Sequence, residues 1–377
     1  MAGIQGVGFL TRRRALFARV EETAGTAVEL RPEDTIIARE ITVTPVEAET
    51  VERTVIRDFL GNFAELLSTR RATVTIACEF VGGGTGTAQI PDDDDTLGPG
   101  DSLFDPNWMP LFIACGFRKN EGRTIPASRG SSTTTGTFVW TPVSAPSDMC
   151  TCTILCRVDG IEHKLRGCLG TWSIEFANAA IPVITFTMTG HYANPEDTAN
   201  EPAPQAVLDF SRPPRLFNDR STGYIVNTGS VFEDALKARM TAFSVDLGNE
   251  VTYREVITEK ALGLNEFPTE GQNILITNRA ATGSITTEAG TLTQADPWSL
   301  VGTGEAKSLI IQHGAQPTSP TNPTNVLESG IGLQLEFPSV TLGQPTYGDD
   351  SGVVSLEIPL RFQPGDSGND EIALLAQ

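Results

Sequence analysis

Histidine is scarce in this chain: only His163, His191 and His313 occur, far apart in the sequence. They offer no acid–base constellation, which would need paired groups within hydrogen-bond reach of one reacting atom. The string Gly100-Asp101-Ser102-Leu103 spells the GDSL block of a hydrolase class. That class also needs an Asp three residues before a His, and no histidine here has one. GxSxG, HExxH and a Gly-rich phosphate loop with its Lys are all missing. The sequence therefore reads as that of a non-enzyme with no cofactor.

Positive charge is also short. Lys and Arg number 27 against 47 Asp and Glu, a formal net charge of −20, which argues against gripping a duplex, because that requires cations to displace condensed counterions. No run of roughly 18 apolar residues exists, so no helical membrane span is expected. Thr11-Arg12-Arg13-Arg14-Ala15-Leu16-Phe17 superficially resembles a twin-arginine export signal, but Arg19, Glu21 and Glu22 break the apolar stretch that should follow. The six cysteines, at 78, 115, 150, 152, 156 and 168, fit no standard structural zinc spacing. They read as buried free thiols, with Cys150, Cys152 and Cys156 on one side of a strand. The run Asp92–Asp95 lacks the spaced ligands and glycine of a calcium loop and reads as solvated charge.

What is present favours β structure. At 377 residues with 39% apolar content, the chain has room for two domains. Its 36 Gly and 24 Pro suit short strands joined by turns. Residues 159–195 carry the clearest pattern, read as three antiparallel strands: an arm after the Asp159-Gly160 turn, then TWSIEF, then VITFTMTG. Trp172, Ile174 and Phe176 alternate with Thr171, Ser173 and Glu175; Ile184, Phe186 and Met188 alternate with Thr185, Thr187 and Thr189. One face then packs on a core while a Thr/Ser/Glu face meets water. Residues 353–362 alternate likewise, with Val354, Leu356, Ile358, Leu360 and Phe362 expected inward.

The chain is also written twice. Aligning Arg70 with Arg279 pairs Ala72 with Ala281, Thr73 with Thr282, Ile76 with Ile285 and Glu79 with Glu288. Upstream, Glu49, Arg53, Val55 and Ile56 match Glu250, Arg254, Val256 and Ile257. Asp105-Pro106 and Asp296-Pro297 open comparable short helices with an N-cap Asp and a first-turn Pro. Further on, Ser173–Phe176 echoes Gln334–Phe337. The common order of these matches points to duplication. The division expected is an N-terminal arm at 1–30, a first domain at 31–192, a Pro-rich linker at 193–222 and a second domain at 223–377. Residues 231–240 look locally helical, and 82–100 read as a long loop.

On these residues the chain resembles the major tail tube protein of long-tailed, non-contractile bacteriophages. The resemblance rests on ALFARVEETAGTA (15–27), ITVTPVEAETVERTVIRDFLG (41–61), DGIEHKLRGCLGTWSIEF (159–176) with IPVITFTMTG, VDLGNEVTYREVI (245–257) and PTYGDDSGVVSLEIPLRF (345–362). It implies a mostly β fold with short helices: two tandem β-sandwich or half-barrel domains that assemble into a continuous β-barrel tube. It also implies stacked rings around a channel for the genome, with six fold units per ring and hence three of these chains. Partners would be the chain itself and the tape-measure, tail-terminator and tail-tip proteins, with DNA passing through without specific binding and no membrane involved. The expected place is the virion tail, assembled in the host bacterial cytoplasm. Lumen-facing candidates are Glu79, Glu175, Glu288, Glu336 and Glu357. Ring-to-ring candidates are Arg12, Arg13 and Arg14 with Asp92, Asp93, Asp94 and Asp95. The competing reading is an adhesive or capsid-decorating tandem β-sandwich protein of a virion, since fold alone does not fix function.

Overall fold

The computed structural model describes residues 13–52, 54–63, 65–82, 106–120, 138–191, 193–197, 222–226, 240–254, 274–291, 296–317, 325–327, 333–365 and 368–376. The first half of the chain forms β1 (Arg14–Val20), β2 (Glu40–Glu52), β3 (Glu65–Glu79), β4 (Phe117–Asn120), β5 (Phe138–Pro142), β6 (Cys152–Val158), β7 (Ile161–Ala177), β8 (Val183–His191) and the short β9 (Glu196–Asp197). The second half forms β10 (Thr222–Val226), β11 (Met240–Asp246), β12 (Asn249–Tyr253), β13 (Ile274–Arg279), β14 (Thr282–Glu288), β15 (Lys307–His313), β16 (Ala315–Pro317), β17 (Asn325–Leu327), β18 (Leu333–Leu342), β19 (Thr346–Asp350), β20 (Val353–Phe362) and β21 (Ala373–Ala376). Among the described residues two short α-helices, α1 (Met109–Ile113) and α2 (Pro297–Thr303), stand beside single 3-10 turns at Pro32–Asp34 and Pro146–Asp148.

The strands β2, β3, β8, β7, β11, β14, β20 and β19 hydrogen-bond in that order, every pair antiparallel. This ribbon of eight runs from the first sequence copy into the second without interruption, the crossing being β7 against β11. A second run, β10, β15, β18, β21, β5 and β4, ties the carboxyl-terminal strand to the first copy. Both runs contribute to one hydrophobic cluster, in which Trp172 and Phe243 of the ribbon join Leu309 and Phe337 of the second run. Aromatic contacts carry that cluster across the copies: Phe176 meets Phe243 at 5.7 Å between ring centroids, Phe243 meets Phe337 at 6.0 Å, and Phe337 stacks on Phe362 at 4.2 Å. Such pairs add to plain area burial.

The duplication reappears in the pairing. Thr73 of β3 lies opposite Thr44 of β2 and Thr189 of β8. Its sequence match, Thr282 of β14, lies opposite Asp246 of β11 and Arg361 of β20. In the second copy the counterparts of β2 and β3 are each broken in two, β11 then β12 and β13 then β14. Gly248 marks the first break with φ +63°, and a Cβ there would lie 2.3 Å from the Ala280 carbonyl oxygen.

The expected three strands in 159–195 become two. The arm and TWSIEF form one 17-residue strand, β7, whose amino-terminal part pairs with β6 and whose remainder pairs with β8 and β11. Hydrophobic alternation does not reveal that the chain continues through a bulge. The register shifts between Arg166 and Leu169, and Gly167 adopts φ +60°. There the Gly167 amide donates to the buried Glu21 carboxylate, which also accepts from the Thr151 and Thr153 hydroxyls and the Gly25 amide. Four donors thereby offset its desolvation and pin the segment after β1 to the bulge.

Strand β20 departs from expectation at one end. Leu356, Ile358, Leu360 and Phe362 are buried, but Val354 is 53% exposed and Ser355 only 6%. The β19–β20 hairpin overhangs the core at that point, and Ser355 lies against the side-chain-free backbone of Gly348, where a Cβ would sit 2.7 Å from its hydroxyl. Helix α2 follows the reading, with the Asp296 carboxylate accepting from the Ser299 amide and Pro297 in the first turn. Helix α1 begins at Met109 with Pro110 in its first turn; Asp105 lies outside the described residues, as do residues 231–239.

Candidate functional site

The ribbon's faces differ chemically. One buries Val74, Ile76, Trp172, Ile174, Ile184, Phe186, Phe243, Val245, Ile285 and Ile358. The other follows from the register. Thr75 stands opposite Thr42 and Thr187, and Thr187 opposite Thr171. Glu175 stands opposite Val183 and Ser244, and Ser244 opposite Ser284. Side chains on this face are half-buried or exposed over most of its extent, and the Ser244 and Ser284 hydroxyls meet at 2.9 Å.

Four of the sequence-derived lumen candidates share this polar face by strand parity. Glu79 and Glu175 flank Val183 in one cross-strand row. Glu288 stands opposite Ser355, and Glu357 opposite both Thr286 and Thr346. Glu40, Asp246 and Asp350 fall on the same face, against Arg71, Arg166 and Arg361 as its cations. Glu336 does not join them: it is buried on β18, opposite Ile310 and Ala373, and accepts a hydrogen bond from Gln334.

Of the ring-to-ring candidates, Arg13 forms a 2.6 Å ion pair with Asp159. Arg14 begins β1, and its guanidinium donates to the Ile41 carbonyl on β2 at 2.8 Å. Arg12 and Asp92–Asp95 lie outside the described residues.

Sequence reading missed the most exposed apolar surface. β3 pairs with β8 only from Arg71 onward, whereas β2 and β3 pair on to Glu52 and Glu65. That leaves a two-stranded arm standing clear of the ribbon. Val51, Val55, Ile56, Phe59, Leu60 and Leu66 are exposed on it, Ile56 and Leu60 fully. The Arg71 guanidinium makes a bidentate pair with Glu47 at 2.9 and 2.9 Å at the arm's root, and this pair holds the Glu47 carboxyl below its usual range. Arg57 lies over the Phe63 ring at 3.9 Å and the Phe59 ring at 4.7 Å. The available signal was the run VEAETVERTVIRDFLGNFAELL, whose apolar residues outnumber what a hairpin tip needs.

The thiols show no reactive or ligating arrangement. All six are free and only Cys150 is not fully buried. Burial pushes Cys78 and Cys156 up to about 12 and raises Cys115 and Cys168 well above the ordinary thiol range. Among the described residues no His/Cys/Asp/Glu group is placed to hold a metal ion, and no helix is long and apolar enough to cross a membrane.

No curated protein matches the chain. A family model does: that of the phage tail tube protein, over residues 11–361. With nearly the whole length matched, and a strand-rich fold built on one long antiparallel ribbon, the chain belongs to the phage tail tube protein family and is a structural component of the virion tail.

Proposed function

We propose that this chain assembles with copies of itself into rings that stack into the tail tube, the ribbon's polar face lining a negatively charged channel for the genome. The observation that carries the reading is the ribbon itself. It is continuous across both sequence copies, apolar on one face, hydroxyl-rich on the other with acids outnumbering cations, and ends among the described residues in two unpaired edges, β2 and β19. Open edges invite pairing with another chain, and closing them into a barrel removes the liability. Two copies per chain support three chains in a pseudo-sixfold ring, with 1–30 as arm, 31–192 and 223–377 as the two units, and 193–222 as connector. Three times −20 gives −60 per ring, a field that disfavours adhesion of a polyanion in transit.

The exposed apolar arm supports ring-to-ring contact, because apolar patches of this kind mark interaction surfaces. Arg12 and Arg13 with Asp92–Asp95 remain proposed as a polar supplement, each exposed pair contributing about 0–1 kcal/mol, whereas Arg14 is drawn to the β2 edge by its bond to the Ile41 carbonyl. Tape-measure, terminator and tail-tip proteins complete the proposed set of partners, with assembly in the host cytoplasm. Negative-stain microscopy of concentrated protein, with its solution mass, tests the reading. Rings and hollow tubes built of trimers are expected; a monomer that persists even when seeded with tail tips would overturn it.

A further inference from the structure

The chain contains a template for its own ring contact. Where the first copy meets the second, β7 pairs with β11: Ser173 opposite Asp246, Ile174 opposite Val245, Glu175 opposite Ser244. The ribbon's outer edges are the same two strand positions left without a neighbour. β19 stands to β20 as β7 stands to β8: Tyr347 opposite Leu356 and Gly348 opposite Ser355, where the first copy has Ile174 opposite Ile184 and Glu175 opposite Val183. The pairing thus corrects the echo of Ser173–Phe176 in Gln334–Phe337, which lies on β18 against β15 and β21. β2 stands to β3 as β11 stands to β14, with Thr44 opposite Thr73 and Asp246 opposite Thr282. Two half-units with the same strand pairing, joined once inside the chain, present the complementary halves of that junction at its two ends.

We propose that β19 of one chain adds to the β2 edge of a second copy in the register of the internal β7–β11 junction. This rests on the ring reading above and specifies its contact: Thr346 opposite Thr44 of the second copy, Tyr347 opposite Val43, Gly348 opposite Thr42, Asp349 opposite Ile41 and Asp350 opposite Glu40.

Three features of the edges fit this occupant. All five residues of β19 are exposed, Tyr347 at 71% beside the Trp298 ring, so its edge is open to an added strand, with Asp349 and Asp350 guarding it against partners that lack matching cations. A cleft runs along β2, walled on one side by Glu40, Ile41 and Val43 and on the other by Arg157 and His163, with Arg14 at its rim. Charge is complementary at the acidic end of β19. Arg14, bonded to the Ile41 carbonyl, and Arg39, exposed just before β2, stand where Asp349 and Asp350 of the arriving strand would lie; Glu40 opposite Asp350 is the single like-charged pair. The Arg14 guanidinium occupies a carbonyl on the edge that an arriving strand would use. The junction between chains is also more polar than the internal one: Asp349 and Ile41 replace the Phe176–Phe243 pair. A contact that assembles and one fixed by chain connectivity would differ in this way.

Thr44 and Thr346 lie on the polar face, and directly opposed residues bring Cβ atoms to about 4.5–5.5 Å, whereas diagonal ones stand about 7–8 Å apart. Thr44→Cys and Thr346→Cys are made on separate full-length chains, mixed one to one, assembled, and oxidised by dissolved oxygen with copper–phenanthroline. A disulfide-linked dimer in the mixture but in neither variant alone is expected, and the double variant on one chain is expected to give a ladder ending at three chains. The diagonal combination, Thr42→Cys with Thr346→Cys, is expected to link at least tenfold more slowly. If micrographs show rings but the opposed pair fails to link, or the diagonal pair links instead, this register is wrong while the ring stands. If the unsubstituted chain forms no rings, the ring reading and this contact fall together.

Discussion

Gly170 and Gly190 show how tightly single residues hold the ribbon. A Cβ on Gly170 would lie 2.3 Å from the Met188 sulfur and 2.5 Å from the Thr187 carbonyl oxygen, and one on Gly190 would lie 2.5 Å from the Cys168 sulfur. β7 and β8 approach so closely only because these positions carry no side chain. Gly170→Ala should lower stability by about 1–3 kcal/mol, the usual cost of overpacking, read as a lower denaturation midpoint with an unchanged slope; an unchanged midpoint would show that the strands separate freely here. The thiols give a second test. With Cys78 and Cys156 raised to about 12, roughly one part in ten thousand of each is thiolate at pH 8; since every cysteine but Cys150 is also buried, iodoacetamide should label at most Cys150 in the folded chain and all six cysteines after denaturation. Folding favours the neutral thiols, so this contribution to stability is complete below the ordinary thiol value of 9.0 and falls as pH rises from there toward 12.

At the scale of elements, alternation made the buried face of β7, β8 and most of β20 legible, because side-chain direction in a strand follows residue parity alone. Strand ends and continuity were less legible. The join of two apparent strands into β7 depends on a bulge satisfied by Glu21, more than a hundred residues away in sequence. The reversal at Val354 and Ser355 depends on how far the β19–β20 hairpin overhangs a core built from other segments. Neither partner is adjacent in the chain. The β2–β3 arm left only the apolar-rich run 46–67 as its trace in the sequence, since the register alone shows that β8 stops at Arg71. Ile56→Ser with Leu60→Ser should leave stability within about 0.5 kcal/mol, as expected for exposed positions, while shifting assembled material from tubes to single rings. Sedimentation and micrographs would show this, and tubes of normal length would remove the arm from the stacking contact.

At the scale of the whole molecule, the duplicated pattern and the excess of acid were plain in the sequence, as was the resemblance that the family model over 11–361 bears out. The way the copies join was not legible. The sequence suggests two units, each with a core, but the ribbon passes through β7 and β11 into a shared cluster. Parity then sorts the acidic residues: Glu79, Glu175, Glu288 and Glu357 share one face and Glu336 is buried elsewhere. The most direct test of the central claim is an electron cryomicroscopy reconstruction of the assembled tube, fine enough to trace strands. The account predicts three chains per ring, the ribbon as inner wall and Glu79, Glu175, Glu288 and Glu357 facing the lumen. A lumen walled by β10, β15 and β18, or the acidic face turned outward, would contradict it.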